Sequence, residues 1–166
     1  MKAKAFTLIE LVITIVILAV MAWIGIAAML SGVDTWGFFN QRKELLIDGS
    51  AAMDRITREI RMIKSNTSVI TAGSTAFSFT DINDNSITYA VNSGTIERTE
   101  NGATNGLLGN VAGFAFTYYD VNNSVIASPA TAPSATDIKR IRVSIALTKG
   151  TSRTVNLESD VWPRNL

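Results

Sequence analysis

The feature that most restricts this chain is its front: from Phe6 to Leu30 the sequence FTLIELVITIVILAVMAWIGIAAML carries a single charge, Glu10. At about 1.5 Å of rise per helical residue, such a run crosses a hydrocarbon layer of roughly 30 Å. It is a transmembrane helix candidate, preceded by Lys2 and Lys4, whereas the first basic residue beyond it is Arg42. That lysine bias places the N-terminus in the cytoplasm. A cleaved secretory signal begins in the same way, but this apolar run is longer than the usual h-region. It is also followed by an amphipathic pattern and not by a small-residue cleavage site with a polar break.

The remaining composition narrows the chemistry. The 166 residues contain no cysteine and no histidine. Thiolate nucleophiles, imidazole acid–base groups, zinc sites of the common kinds and disulfides are thereby excluded. Lysine plus arginine (15) almost cancels aspartate plus glutamate (14), so no global field draws the chain to nucleic acid. No serine, threonine or carboxylate sits in a recognisable triad or acid pair, and no cofactor is implied. An enzyme is the weakest of three classes, behind a structural filament subunit and a membrane-anchored binding module.

Four segments are expected: a leader over 1–5, an apolar helix over 6–30, its amphipathic continuation over 31–65, and a β-rich head over 66–166. In the second helical stretch Leu46, Gly49, Met53, Ile56, Ile60 and Ile63 recur at three- and four-residue steps, the spacing of one helix face. With no proline between the two stretches, one long helix is the simplest reading, with Gly25, Gly32 and Gly37 as candidate bends. From Ser68 the vocabulary changes to alternating Thr, Val, Ile, Phe and Tyr broken by turn residues. Strands are expected at 75–80, 86–91, 94–99, 111–120, 138–148 and 152–161, with a surface loop from Ala127 to Thr136. The predicted class is α+β, a long N-terminal helix whose rear half lies across an antiparallel sheet.

Glu10 is the residue most in need of an explanation, because a carboxylate inside an apolar span costs up to about 2.5 to 3.5 kcal/mol at mid-membrane, and less near the interface. Taken alone, it fits either a residue that snorkels or protonates, or one with a dedicated partner. Its surroundings, Lys4-Ala5-Phe6-Thr7-Leu8-Ile9-Glu10 followed by LVITIVIL, resemble the prepilin signature of type IV pilins and type II secretion pseudopilins. That resemblance implies cleavage between Ala5 and Phe6 by a membrane peptidase and N-methylation of Phe6. It also implies a role for Glu10 in assembly by charge pairing, and a type IV pilin fold. The family nearly always has glycine where Ala5 stands, a departure that bears on the efficiency of the cut. Implied partners are other pilin or pseudopilin subunits, the prepilin peptidase and methyltransferase, an inner-membrane assembly platform and, before assembly, membrane lipid. The segments ITYAVNSGTIERTENG, NVAGFAFTYYD and IKRIRVSIALTKG and the ending VWPRNL are similar to heads of minor pilins, of the J-type pseudopilin or W-type minor pilin sort. This implies a tip or priming position, with a major pilin or an anchored module for DNA uptake or adhesion as alternatives.

Three further features receive plain readings. Asp81, Asn83, Asp84 and Asn85 offer oxygens at alternate positions like a calcium loop, yet Ser86 and Asn92 stand where an EF-hand wants Gly and Glu, so an Asx-rich hairpin turn is expected. Phe114, Phe116, Tyr118 and Tyr119 read as strand core and surface, not as a stacking platform. Lys139, Arg140 and Arg142 read as a solvated strand edge, not a phosphate contact.

Overall fold

The computed structural model describes residues 7–128, 137–150 and 154–166, apart from the side chains of residues 34, 35, 38 and 66. The Ala5–Phe6 junction, most of the loop expected up to Thr136, and the start of the strand expected at 152 lie outside the described residues. The chain divides into two compact units, Met1–Asn40 and Gln41–Leu166. One helix, α1 (Leu8–Ile60), runs without interruption through Gly25, Gly32 and Gly37. Over Leu8–Val33 it is apolar and exposed, with Leu8 82%, Trp23 72% and Met29 74% exposed. The stretch Leu8–Val33 is long and apolar enough to cross a membrane.

The second unit is an α+β head. Strands β1 (Val69–Ala72), β2 (Ala76–Thr80), β3 (Ser86–Asn92), β4 (Thr95–Glu100) and β5 (Ala103–Leu108) form an antiparallel meander in sequence order. Strands β6 (Val111–Tyr119), β7 (Val125–Ile126), β8 (Arg140–Leu147) and β9 (Val155–Val161) form a second antiparallel sheet in the order β7-β6-β8-β9. One sheet was expected and two are found. Three short strands, β1, β5 and β7, are not among those expected. In the case of β5 the residues Asn105 and Gly106 imitate a turn, whereas the actual two-residue turn is Asn101-Gly102, with φ of 50° and 88°. Ser93-Gly94 turns β3 into β4 in the same way, both residues at positive φ. Such pairs match the right-handed twist of the strands they join.

The rear of α1 packs over both sheets. Leu45, Ala52, Met53, Ile56 and Ile60 are buried. Leu46, expected on this face, is instead 38% exposed, because Leu45 falls in line with Gly49, Ala52, Met53 and Ile56 on the wheel and its neighbour is rotated about 100° away. Gly49 allows close approach: a Cβ there would lie 2.5 Å from Cδ1 of Leu157 and 2.7 Å from Cδ1 of Leu147, both on the second sheet. The helix ends at Ile60, short of the expected Ser65, and its last carbonyls are taken up at once. Met62 N donates to Glu59 O at 2.9 Å, Ile63 N to Ile60 O at 3.3 Å, and Ile82 N to Met62 O at 2.9 Å. The two sheets meet through aromatic rings, Phe77 of β2 lying 5.4 Å from Phe116 and 5.7 Å from Tyr118 of β6, centroid to centroid. The Tyr118 hydroxyl donates to Gly73 O at 2.7 Å.

Candidate functional site

The first turn of α1 is built around the residues that the sequence singles out. Thr7 stands just before Leu8, and its hydroxyl oxygen accepts from Glu10 N at 3.3 Å. In return Oε2 of Glu10 accepts from Thr7 N at 3.0 Å and from Thr7 Oγ1 at 2.9 Å. This is a reciprocal capping box, Thr-x-x-Glu, which satisfies donors that the helix start would otherwise leave bare. A carboxylate in the first turn also complements the positive end of the helix dipole. Periodicity alone did not suggest this second role, although the Thr7-to-Glu10 spacing carries it. Oε2 of Glu10 thus caps the chain's own helix, and among the described residues Oε1 accepts no hydrogen bond. Four residues on, Thr14 donates its hydroxyl to Leu11 O at 2.9 Å, so that group is not left bare in an apolar surrounding.

The other sequence candidates are knitted into the head. Asp81 Oδ1 accepts from Asn83 N and Asn85 N, both at 2.8 Å, closing an Asx turn between β2 and β3. Burial opposes the charge on Asp81, but these donors outweigh it and hold the carboxyl below its ordinary value. Asp84 is engaged by Lys64. Asp81 and Asn85 are thus turned to hairpin bonding and Asp84 to Lys64, and no group of three acidic residues that could hold a metal occurs among the described residues. Arg140 and Arg142 both bond Asp160, at 2.9 Å each, and Arg140 lies 3.6 Å above the ring of Tyr119. Phe114, Phe116 and Tyr118 are buried in the core.

One cluster had no sequence signal. Glu59 of α1 and Arg98 of β4, each 7% exposed, pair at 2.9 Å, and the hydroxyl of Tyr89 on β3 donates to the same carboxylate at 2.5 Å. Arg55 reaches it at 3.1 Å, and Arg98 continues to Glu100 at 2.8 Å. Burial is the largest influence on Glu59 and raises its pKa, yet the bonds from Arg98, Tyr89 and Arg55 together leave it lowered. The Tyr89 hydroxyl is pushed up, first by burial and then by Glu59. This is a satisfied polar pin between helix and sheet.

Comparison with known families places the N-terminus. Residues 1–26 match a family described as the prokaryotic N-terminal methylation motif. The match supports a type IV pilin-like prepilin signal, a pilin or pseudopilin class, and membrane anchoring, and it points to a structural subunit rather than an enzyme. A comparison with curated proteins finds no match.

Proposed function

We propose that this chain is a minor pilin or pseudopilin, inserted in the bacterial inner membrane with its N-terminus in the cytoplasm, cut between Ala5 and Phe6, methylated on Phe6 and assembled into a type IV pilus or type II secretion filament. The observation that carries the reading is the overlap of a methylation motif at residues 1–26 with an exposed apolar stretch, Leu8–Val33, whose one carboxylate is Glu10. An apolar surface of this length needs lipid before assembly and other helices afterwards, and the exchange is driven by van der Waals packing rather than by exclusion of water. Cleavage creates an ammonium on Phe6, and the Glu10 carboxylate of a neighbouring subunit, with one oxygen outside its own capping box, is suited to neutralise it where isolated charges are disfavoured. Head segments similar to those of J-type and W-type subunits favour a tip or priming position over the repeating shaft.

Intact-mass measurement of the protein from its native host tests the processing step. The expected mature chain begins at Phe6 and carries one added methyl group. Retention of Met1 to Ala5 in assembled filaments would overturn the assignment.

A further inference from the structure

At the end of α1 away from Gln41, the head has a cleft of about 490 Å³ lined by Arg58, Arg61, Met62, Ile82, Arg164 and Asn165. Its three arginines come from the last helical turn, the turn beyond it and the C-terminal segment, and among the described residues none of them forms an ion pair. Nor are they needed to cap the helix. Thr57 O, Glu59 O, Ile60 O and Met62 O accept backbone N–H groups, and Ile63 O accepts Asn165 Nδ2 at 2.9 Å. Of the acidic side chains close by in sequence, Glu59 is engaged with Arg98, Asp81 in its own turn and Asp84 with Lys64, while Asp54, one helical turn before Arg58, forms no ion pair with it among the described residues. Three guanidinium groups, each with five N–H donors, therefore line one concavity, none of them ion-paired among the described residues.

We propose that this cleft docks a carboxylate-bearing peptide segment of another protein chain. The walls decide the class of ligand. Met62 and Ile82, the latter 51% exposed, supply an apolar floor between the arginines, which fits a segment in which acidic and aliphatic residues alternate. Aromatic side chains, which stack bases in sites for single-stranded nucleic acid, do not line the cleft, and the near-zero net charge gives no long-range pull on a polyanion. The backbone beneath is fixed, because Ile82 N bonds Met62 O at 2.9 Å and Lys64 N bonds Thr80 O at 3.1 Å, so little ordering is required on binding. The inference rests on the cleft alone and holds whether or not the chain enters a filament.

The test uses the full chain in detergent and a fluorescein-labelled hexapeptide alternating glutamate and leucine, followed by anisotropy. Each of Arg58→Gln, Arg61→Gln and Arg164→Gln is expected to weaken binding about three- to tenfold, while Lys149→Gln, at a lysine paired with Glu44, leaves it unchanged. Arg164 lies outside every helix and strand, so its variant separates binding from folding. Ile82→Ser is expected to weaken the leucine-containing peptide but not a glutamate–serine version. Failure of the peptide to bind, or binding indifferent to all three arginine variants, would overturn the proposal. So would a twenty-nucleotide single strand that binds more tightly than the peptide through the same arginines, which would assign the cleft to nucleic acid.

Discussion

Replacing Arg98 with methionine would expose what the buried pin contributes. In the parent, Nε of Arg98 meets both oxygens of Glu59, at 2.9 and 3.1 Å, with the two side chains only 8% and 9% exposed. Arg98→Met removes that cation while Glu59 stays out of water, held by Tyr89 and by Arg55, whose own side chain is 44% exposed and correspondingly screened. Breaking a buried pair from one side costs about 3 to 5 kcal/mol. Because Tyr89 and Arg55 remain, the lower end, about 3 kcal/mol, is expected, which lowers Tm by about 10 °C. Glu100 also loses its partner, but at 43% exposure that loss adds well under about 1 kcal/mol. Thermal unfolding of the full chain in detergent, followed by near-ultraviolet circular dichroism, reads the loss. The triple variant Glu59→Leu, Tyr89→Phe, Arg98→Met, which removes every member that would be left unsatisfied, is expected to recover most of it. The pH dependence carries a sign. In the parent the Glu59 carboxyl is held below its ordinary value of 4.5, so it adds stability above that pH and loses it on acidification. Without Arg98 burial dominates, the carboxyl titrates upward, and the deficit of the variant narrows as the pH falls from about 7 to 4. A loss below about 1 kcal/mol with an unchanged pH profile would refute the reasoning, since it would mean that Glu59 is effectively solvated.

Two further substitutions test other parts of the chain. Glu10→Gln keeps an acceptor for the capping box and loses only the charge, whereas Glu10→Ala loses both, with about 1 kcal/mol of capping. Both are expected to insert in the membrane at least as well as the parent and to enter filaments poorly, as measured by the ratio of sheared-filament to membrane-bound subunit at matched expression; parental incorporation of both would reduce Glu10 to a cap. Gly49→Ala gains about 1 kcal/mol of helix propensity, but its methyl meets Leu157 and Leu147 below 3 Å, an overpacking cost of about 1 to 3 kcal/mol, so a lowered Tm is expected where an open site such as Gly32 would not lower it.

Much of this protein is legible in its residues because the signals are local. The helix from Leu8 follows from an unbroken apolar run, the capping box from a three-residue spacing, and the hairpins from Ser93-Gly94 and Asn101-Gly102, each a matter of near neighbours in the chain. The α+β class follows from the change of period near Ser68, and the prepilin-like junction from a contiguous motif that needs no folding to be recognised. What the tertiary structure decided depends on partners distant in sequence. Whether Leu45 or Leu46 faces the core rests on where two sheets meet the helix, and Ala103–Leu108 becomes a strand because β4 offers it a free edge. Glu59, Tyr89 and Arg98 are unremarkable one at a time, separated by 30 and 39 positions from the helix residue, and only folding puts them into one dry cluster. The same holds for Arg58, Arg61 and Arg164, since the closing of the C-terminal segment on the helix end brings like charges together, and no periodicity in the sequence records that approach.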